Sequence, residues 1–132
     1  MTKEISNGVK KILLIEDEPI LASMYQEKLS QEGFQVILTS EAKGALKLAK
    51  EEKPDLILLD ILLPRENGIY FLKELMKEKE IYSIPPVIAF SNYDEPTTKK
   101  EALRLGVKNY LIKTNYTPSE IVAKIKQLLS EG

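Results

Sequence analysis

The sequence contains no cysteine and no histidine among its 132 residues. The absence of cysteine excludes disulfides, thiolate catalysis and the cysteine-based zinc and iron sites. The absence of histidine removes the usual general base, the serine–histidine arrangements and most transition-metal sites. Any reaction of this chain must therefore use carboxylates, lysine amines, hydroxyl groups or a hard cation.

Long apolar runs and an excess of one charge are also missing. No segment is long enough to cross a membrane and no cleavable apolar N-terminus is visible, so we expect a cytoplasmic protein with no membrane contact. The net charge is -1 and no concentrated basic face is visible, which argues against direct nucleic-acid binding. With 43% hydrophobic and 30% charged residues, the chain is typical of one globular domain. We expect a flexible polar lead-in over residues 1–10 and a folded domain over residues 11–130.

Short apolar runs alternate with segments of helical periodicity along this domain. Predicted strands cover residues 11–15, 34–40, 55–60, 85–91 and 107–113. Predicted helices begin with Pro19, after the cap Ser40, at residue 69, at residue 94 with Pro96 near the start, and with Pro118. The first should end at the glycine of "EGF", residues 32–34, and the third should extend to residue 80. In the fourth, Ala102, Leu103 and Leu105 form a thin apolar stripe. The last helix also has a capping box formed by Thr117 and Glu120. This alternation predicts an α/β fold with a five-stranded, doubly wound parallel sheet.

The ends of the predicted strands collect the polar residues. Glu16 and Asp17 follow the first strand, Asp60 the third, Ser91 the fourth and Lys113 the fifth. In such folds ligands bind outside the carboxyl ends of the strands. Three carboxylates would repel one another unless a cation joined them, and Mg²⁺ prefers oxygen ligands. An ammonium and a hydroxyl suit a phosphoryl group, and an aspartate can itself form an acyl phosphate.

Each of these residues also has a purely structural interpretation. The "EDEP" stretch is good helix-start chemistry, Ser91 could be an ordinary loop hydroxyl, and Lys113 could be a solvated strand end. Asp60 is harder to explain in this way because apolar residues stand on both sides of it. The joint placement of all five residues at strand ends favours a functional site.

Four motifs resemble the receiver domain of two-component response regulators. They are "ILLIEDEP" with the acidic pair, "PDLILLDILLPRENG" with the phosphoacceptor strand, "PPVIAFSN" with the hydroxyl residue, and "GVKNYLIK" with the switch aromatic and the lysine. The resemblance runs from about Lys10 to Leu129. It implies the flavodoxin-like (βα)5 fold with strand order 2-1-3-4-5.

The resemblance also implies roles for individual residues. Asp60 would be the phosphoacceptor and Asp17 a direct Mg²⁺ ligand. Glu16 would help to bind the metal directly or through water, and the backbone carbonyl of Leu62 would complete the protein ligands.

The remaining implied roles concern the phosphoryl group and its effect. Lys113 would bind that group, Ser91 would move to hydrogen-bond it, and Tyr110 would rotate inward to follow. The surface of the fourth helix, fifth strand and fifth helix would report the change to a target protein. The donor would be a histidine kinase or a histidine phosphotransfer protein, so the chain would be a signalling switch rather than an enzyme. We also expect a stand-alone receiver, because no output domain follows Leu129.

Several positions differ from the commonest pattern of this family. Thr114 stands where a proline with a cis peptide bond usually follows the lysine, and a non-proline cis bond costs about 2.5–4 kcal/mol. We therefore expect a trans bond and an altered loop there. Asn92 replaces a small residue, and its side chain could reach the phosphoryl site. Leu62 and Tyr93 should shield an acyl phosphate from water, which predicts slow self-dephosphorylation.

Three other functions compete with this interpretation. A receiver-like protein-interaction module would use the same face without phosphorylation. A phosphatase working through an aspartyl phosphate usually has a second acid two residues after the nucleophile, where this chain has Leu62. A nucleotide or flavin binder would need a glycine-rich phosphate loop after the first strand, which is missing here.

Overall fold

The computed structural model describes residues 8–62, 67–81, 83–92 and 95–131. Most of the predicted lead-in over residues 1–10 therefore lies outside the described residues. The strands are β1 (Lys11–Ile15), β2 (Gln35–Thr39), β3 (Leu56–Asp60), β4 (Val87–Ser91) and β5 (Asn109–Ile112). The helices are α1 (Pro19–Gln31), α2 (Ala42–Glu52), α3 (Gly68–Met76), α4 (Pro96–Arg104) and α5 (Pro118–Glu131), with a short 3₁₀ turn at Lys113–Asn115.

The five strands form one parallel sheet in the order β2-β1-β3-β4-β5. This is the flavodoxin-like order, and it confirms the predicted fold class. β2 lies on one side of β1 and β3 on the other, so the order in which strands are added to the sheet reverses at β1. A cleft opens at the carboxyl ends of strands at such a reversal.

Helices cover both faces of the sheet, and the sheet separates the core into two clusters, one on each face. Alternate residues of each strand point to opposite faces, so Leu14, Leu58 and Phe90 pack on one face with α1 and α5. Ile57 and Ala89 pack on the other face with α2, α3 and α4. β3 and β4 are buried along their whole length, as their near-continuous apolar sequences require.

The helix ends follow the predicted signals in two places. Thr117 and Glu120 form a reciprocal capping box, with Thr117 N donating to Glu120 Oε1 at 2.7 Å and Glu120 N donating to Thr117 Oγ1 at 3.1 Å. α1 ends before Gly33, whose φ of 95° lies in the left-handed region that glycine enters without a steric penalty. These signals act over a few residues, which is why the sequence identifies them.

Three local predictions were wrong. Ser40 was the predicted cap of α2, but the cap position is Glu41, because the burial of Ala42 and Ala45 fixes where the first turn starts. α3 stops at Met76, since Glu78 N bonds the carbonyl of Leu75 in a tighter three-residue turn. Leu103, predicted to lie in the apolar stripe of α4, is 44% exposed, while Ala102 is the buried residue of that helix.

Other expectations concern the loop after β5 and the length of the helices. The described residues include no cis peptide bond, so Thr114 follows Lys113 in trans, as expected. Within the described part of the chain, no helix combines the length and the apolar character needed to cross a membrane.

Candidate functional site

Strand alternation places three ionisable residues above the same face of the sheet. Residues two apart in a strand face the same side, so Glu16 follows Leu14 and Asp60 follows Leu58 on one face of the sheet. Lys113 likewise follows the buried Leu111 of β5 on that face. Their side chains meet at the carboxyl ends of β1, β3 and β5, beside the reversal of strand order. The sheet register therefore joins residues that are far apart in the chain, such as Asp60 and Lys113 at a separation of 53 positions.

Asp60 is a buried carboxylate with two defined contacts. It is 4% exposed, its Oδ1 accepts a hydrogen bond from Leu62 N at 3.1 Å, and its Oδ2 lies 3.4 Å from Lys113 Nζ. Burial raises the pKa of Asp60 to about 7, an effect that the ammonium of Lys113 opposes and the carboxylate of Glu16 reinforces. Ionising Asp60 therefore costs free energy in the folded protein, and a bound cation would remove that cost.

Glu16 uses both oxygens of its carboxylate within the protein. Its Oε1 accepts from Lys113 Nζ at 2.9 Å, and its Oε2 accepts from Glu18 N at 3.0 Å. The second bond closes the turn between β1 and α1 and orients the carboxylate toward the lysine. Glu16 is only 2% exposed, so the ion pair with Lys113 is shielded from water.

Asp17 differs from the other two acids because it is exposed. One carboxylate oxygen from each of Glu16, Asp17 and Asp60 can be chosen so that the three lie within 4.8 Å of one another. These hard oxygen donors fit a small divalent cation, and the cluster could hold a metal ion. The cleft around it has a volume of about 450 Å³ and is also lined by Leu62, Asn92 and Lys113.

Lys113 has an aromatic partner besides its two carboxylates. Its Nζ lies 4.7 Å from the centroid of the Phe90 ring. That ring packs edge-on against Tyr25 of α1, with centroids 5.3 Å apart and planes at 85°. Burial, with a further contribution from the charge of Glu16, raises the pKa of Tyr25 to about 12.

Ser91 and Tyr110 lie on the other face of the sheet. Ser91 ends β4 and is fully buried, and it lies on the same face of the sheet as Ala89 rather than on the face of Phe90. Tyr110 pairs with Ala89 across the β4–β5 ladder and is 8% exposed, so its ring already lies in the core. The two predicted switch residues therefore share the face that packs on α2, α3 and α4.

Comparison with known proteins identifies the family. A family model described as the response regulator receiver domain matches residues 12–126. This chain belongs to that family. The receiver is 38% identical over 120 residues to the alkaline phosphatase synthesis transcriptional regulatory protein PhoP of Bacillus subtilis, a match that covers 91% of this chain and 48% of that protein. It is 35% identical to the phosphate regulon transcriptional regulatory protein PhoB of Escherichia coli, covering 91% of this chain and 52% of that protein.

Solved structures agree with this assignment. The receiver superposes on a CheY-like response regulator receiver domain protein from Methanospirillum hungatei with a TM-score of 0.83 and 26% identity, covering 93% of this chain and 95% of that one. It also superposes on the receiver domain of Francisella response regulator 1452 with a TM-score of 0.81 and 28% identity, covering 92% and 98% of the two chains. The receiver thus matches solved receiver domains over nearly their whole length, while it spans about half the length of the curated relatives.

The structure brings together most of the residues predicted for the site of this receiver. Glu16, Asp17, Asp60 and Lys113 share one cleft, and Leu62 and Asn92 line it. Tyr93, which was expected to help shield the site, lies outside the described residues. Phe90 and Tyr25 were not predicted as site residues, although the period of two in β4 could have placed Phe90 on the face of Asp60.

Proposed function

We propose that residues 11–130 act as a phosphoacceptor receiver in which Asp60 takes a phosphoryl group and thereby switches a protein-binding surface. The observation that carries this proposal is the setting of Asp60. Its carboxylate is buried at the end of a parallel strand, contacts Lys113, and lies within a cluster of three acids. A charge in such a position costs free energy and is retained where the site uses it.

The reaction is an in-line transfer of a phosphoryl group. A carboxylate oxygen of Asp60 forms a bond to phosphorus while the bond from phosphorus to the donor nitrogen breaks, and the imidazole leaves. Asp17, Asp60 and the carbonyl of Leu62 would hold Mg²⁺, with Glu16 acting directly or through water. The bound ion would supply positive charge that neutralises the phosphoryl oxygens. Lys113 is close enough to Asp60 to bind those oxygens as a point charge.

These 132 residues contain no histidine, so a phosphohistidine donor must lie outside them. Its chemistry points to the phosphohistidine of a histidine kinase or of a phosphotransfer protein. We place this exchange in the cytoplasm. The receiver is then a switch that catalyses only its own phosphorylation and dephosphorylation.

The output follows from the face on which Ser91 and Tyr110 lie. Ser91 would donate its hydroxyl hydrogen to the phosphoryl group, and Tyr110 would adjust its packing in response. α4 suits such a change because Ala102 is its buried residue, so little apolar packing holds it in place. The phosphoryl group can shift the surface of α4, β5 and α5 only by as much as its contacts differ between the two states.

The test is the intact mass of the protein after incubation with Mg²⁺ and acetyl phosphate. We expect the wild type to gain one phosphoryl group in a Mg²⁺-dependent way and Asp60→Asn to gain none. Asp55→Asn is the matched control, because Asp55 lies just before the same strand at its other end, where it accepts a hydrogen bond from Lys11 N at 2.8 Å. If the wild type takes up no phosphoryl group and binds no Mg²⁺, the chain is a receiver-like interaction module instead.

A further inference from the structure

Lys113 is held by more than its ion pairs. Its side chain is 11% exposed and the ammonium contacts Glu16, Asp60 and the face of Phe90. We propose that Phe90, held in place by Tyr25, is a positioning residue. It keeps the Lys113 ammonium beside Asp60 when the carboxylates of Glu16 and Asp60 bind a metal cation. This inference rests on the proposed phosphoacceptor function.

The contact between Lys113 and Phe90 is electrostatic. A cation is attracted to the negative face of an aromatic ring, and the attraction grows when water is excluded. Both groups are withdrawn from water here, since Phe90 is fully buried and little of the lysine side chain is exposed. An aliphatic residue at position 90 would fill most of this space without offering this attraction.

The Phe90 ring is fixed in position by its strand and by its aromatic neighbour. Phe90 belongs to a central strand and stands opposite Asp60 in the β3–β4 ladder, so its backbone is fixed relative to the phosphoacceptor. Tyr25 packs against the ring at 85°, which restricts its rotation. Tyr25 is 2% exposed and belongs to α1, so the aromatic pair joins β4 to the helix that follows the acidic pair.

A metal cation would compete with Lys113 for its carboxylate partners. Asp60 and Glu16 are at once the partners of Lys113 and members of the three-carboxylate cluster. A cation in that cluster weakens the hold of both acids on the ammonium, because the two positive charges compete for the same oxygens. The ring of Phe90 is not a ligand of the metal cation, so the attraction between the ring and the Lys113 ammonium persists when the metal binds. The ammonium thus stays near Asp60 to meet the incoming phosphoryl oxygens.

The contact is first tested in the protein without donor. Protons over the face of an aromatic ring are shifted upfield, so the Hε signals of Lys113 should be upfield of ordinary lysine signals in the wild type. They should remain so after Mg²⁺ is added and return to ordinary positions in Phe90→Leu. Ordinary Hε positions in the wild type, or loss of the upfield shift on addition of Mg²⁺, would overturn the inference even if Asp60 is phosphorylated.

The kinetic test uses the rate of phosphorylation by acetyl phosphate at fixed Mg²⁺. We expect Phe90→Leu to slow this rate about tenfold, equivalent to ~1.4 kcal/mol, within the range of a desolvated cation–π contact. Phe71→Leu is the matched control, since Phe71 is also fully buried but packs on the opposite face of the sheet. It should lower thermal stability to a similar degree while leaving the rate nearly unchanged.

Fluorinated phenylalanines at position 90 separate electrostatics from packing. Successive fluorine atoms withdraw charge from the ring face with little change in shape, so the rate should fall stepwise with fluorine content while the Mg²⁺ affinity stays constant. A rate that is independent of fluorination means that Phe90 only fills space, and it contradicts the inference. If the wild type itself is not phosphorylated, the proposed function fails, and the Lys113 signals still decide whether the ring holds the ammonium.

Discussion

The buried carboxylate of Asp60 should destabilise the metal-free protein at neutral pH. Its pKa is about 7 in the fold against an ordinary value of 3.8. Between these values the folded protein binds a proton that the unfolded chain has lost, so stability falls as pH rises. The stabilising contribution is fully present below pH 3.8 and is lost as the pH passes through about 7. Asp60→Asn removes this titration and keeps the shape of the side chain.

The size of the effect follows from the two pKa values. One pKa unit corresponds to about 1.4 kcal/mol, so the full cost of ionising Asp60 in the fold is about 4 kcal/mol. Between pH 5 and pH 8 the wild type should lose roughly 2–3 kcal/mol relative to Asp60→Asn. Lys113 is not left without a partner in the variant, because Glu16 still holds it at 2.9 Å.

Urea unfolding followed by circular dichroism at pH 5, 6, 7 and 8, in the presence of a chelator, measures this difference. Each pH gives a free energy of unfolding for the wild type and for Asp60→Asn, and the titration of groups remote from Asp60 cancels in the comparison. The control Asp55→Ala loses the hydrogen bond from Lys11 N and should be less stable than the wild type by about 1 kcal/mol. Parallel pH profiles for the wild type and Asp60→Asn would refute the reasoning, because the buried carboxylate would then carry no excess cost.

Four further predictions concern the metal, the loop, the acyl phosphate and the last helix. Mg²⁺ should raise the melting temperature of the wild type by binding only the folded state, and Asp17→Asn should abolish most of that rise in calorimetry. Gly68→Ala should lower the melting temperature and slow phosphorylation by acetyl phosphate. The added Cβ would lie 2.8 Å from the Cα of Ile61 and 3.1 Å from the carbonyl oxygen of Asp60, which forces the backbone beside the phosphoacceptor to shift. An unchanged melting temperature together with an unchanged rate would contradict this. Leu62→Asn should shorten the lifetime of the phosphorylated protein, measured by the decay of its intact mass, because a polar side chain at the cleft would admit and orient water; an equal or longer lifetime argues against shielding. Thr117→Ala removes one half of the capping box and should cost about 1 kcal/mol in urea unfolding, whereas Ser40→Ala, at a position that does not cap α2, should cost less.

Much of the candidate site could be predicted because its residues stand at the ends of strands that the sequence marks clearly. β1 has the predicted bounds, and the other strands are one to three residues shorter than predicted. The shortening has a common cause, since ladder hydrogen bonds end where the neighbouring strand ends, and apolar periodicity does not report the neighbour. Leu103 shows the same limit on a helix, because exposure depends on what packs against α4.

Local sequence patterns alone predict the order of strands and helices, the capping box at Thr117, the glycine after α1 and the set of residues at the strand ends. These features depend on propensities and periodicities over a few neighbouring residues, which are written locally in the chain. Two features emerge only in the folded chain: both carboxylate oxygens of Glu16 accept hydrogen bonds within the protein, and the ammonium of Lys113 lies over the ring of Phe90. Contacts of that kind depend on strand register and on which face each side chain occupies, and they join positions that the local sequence does not relate.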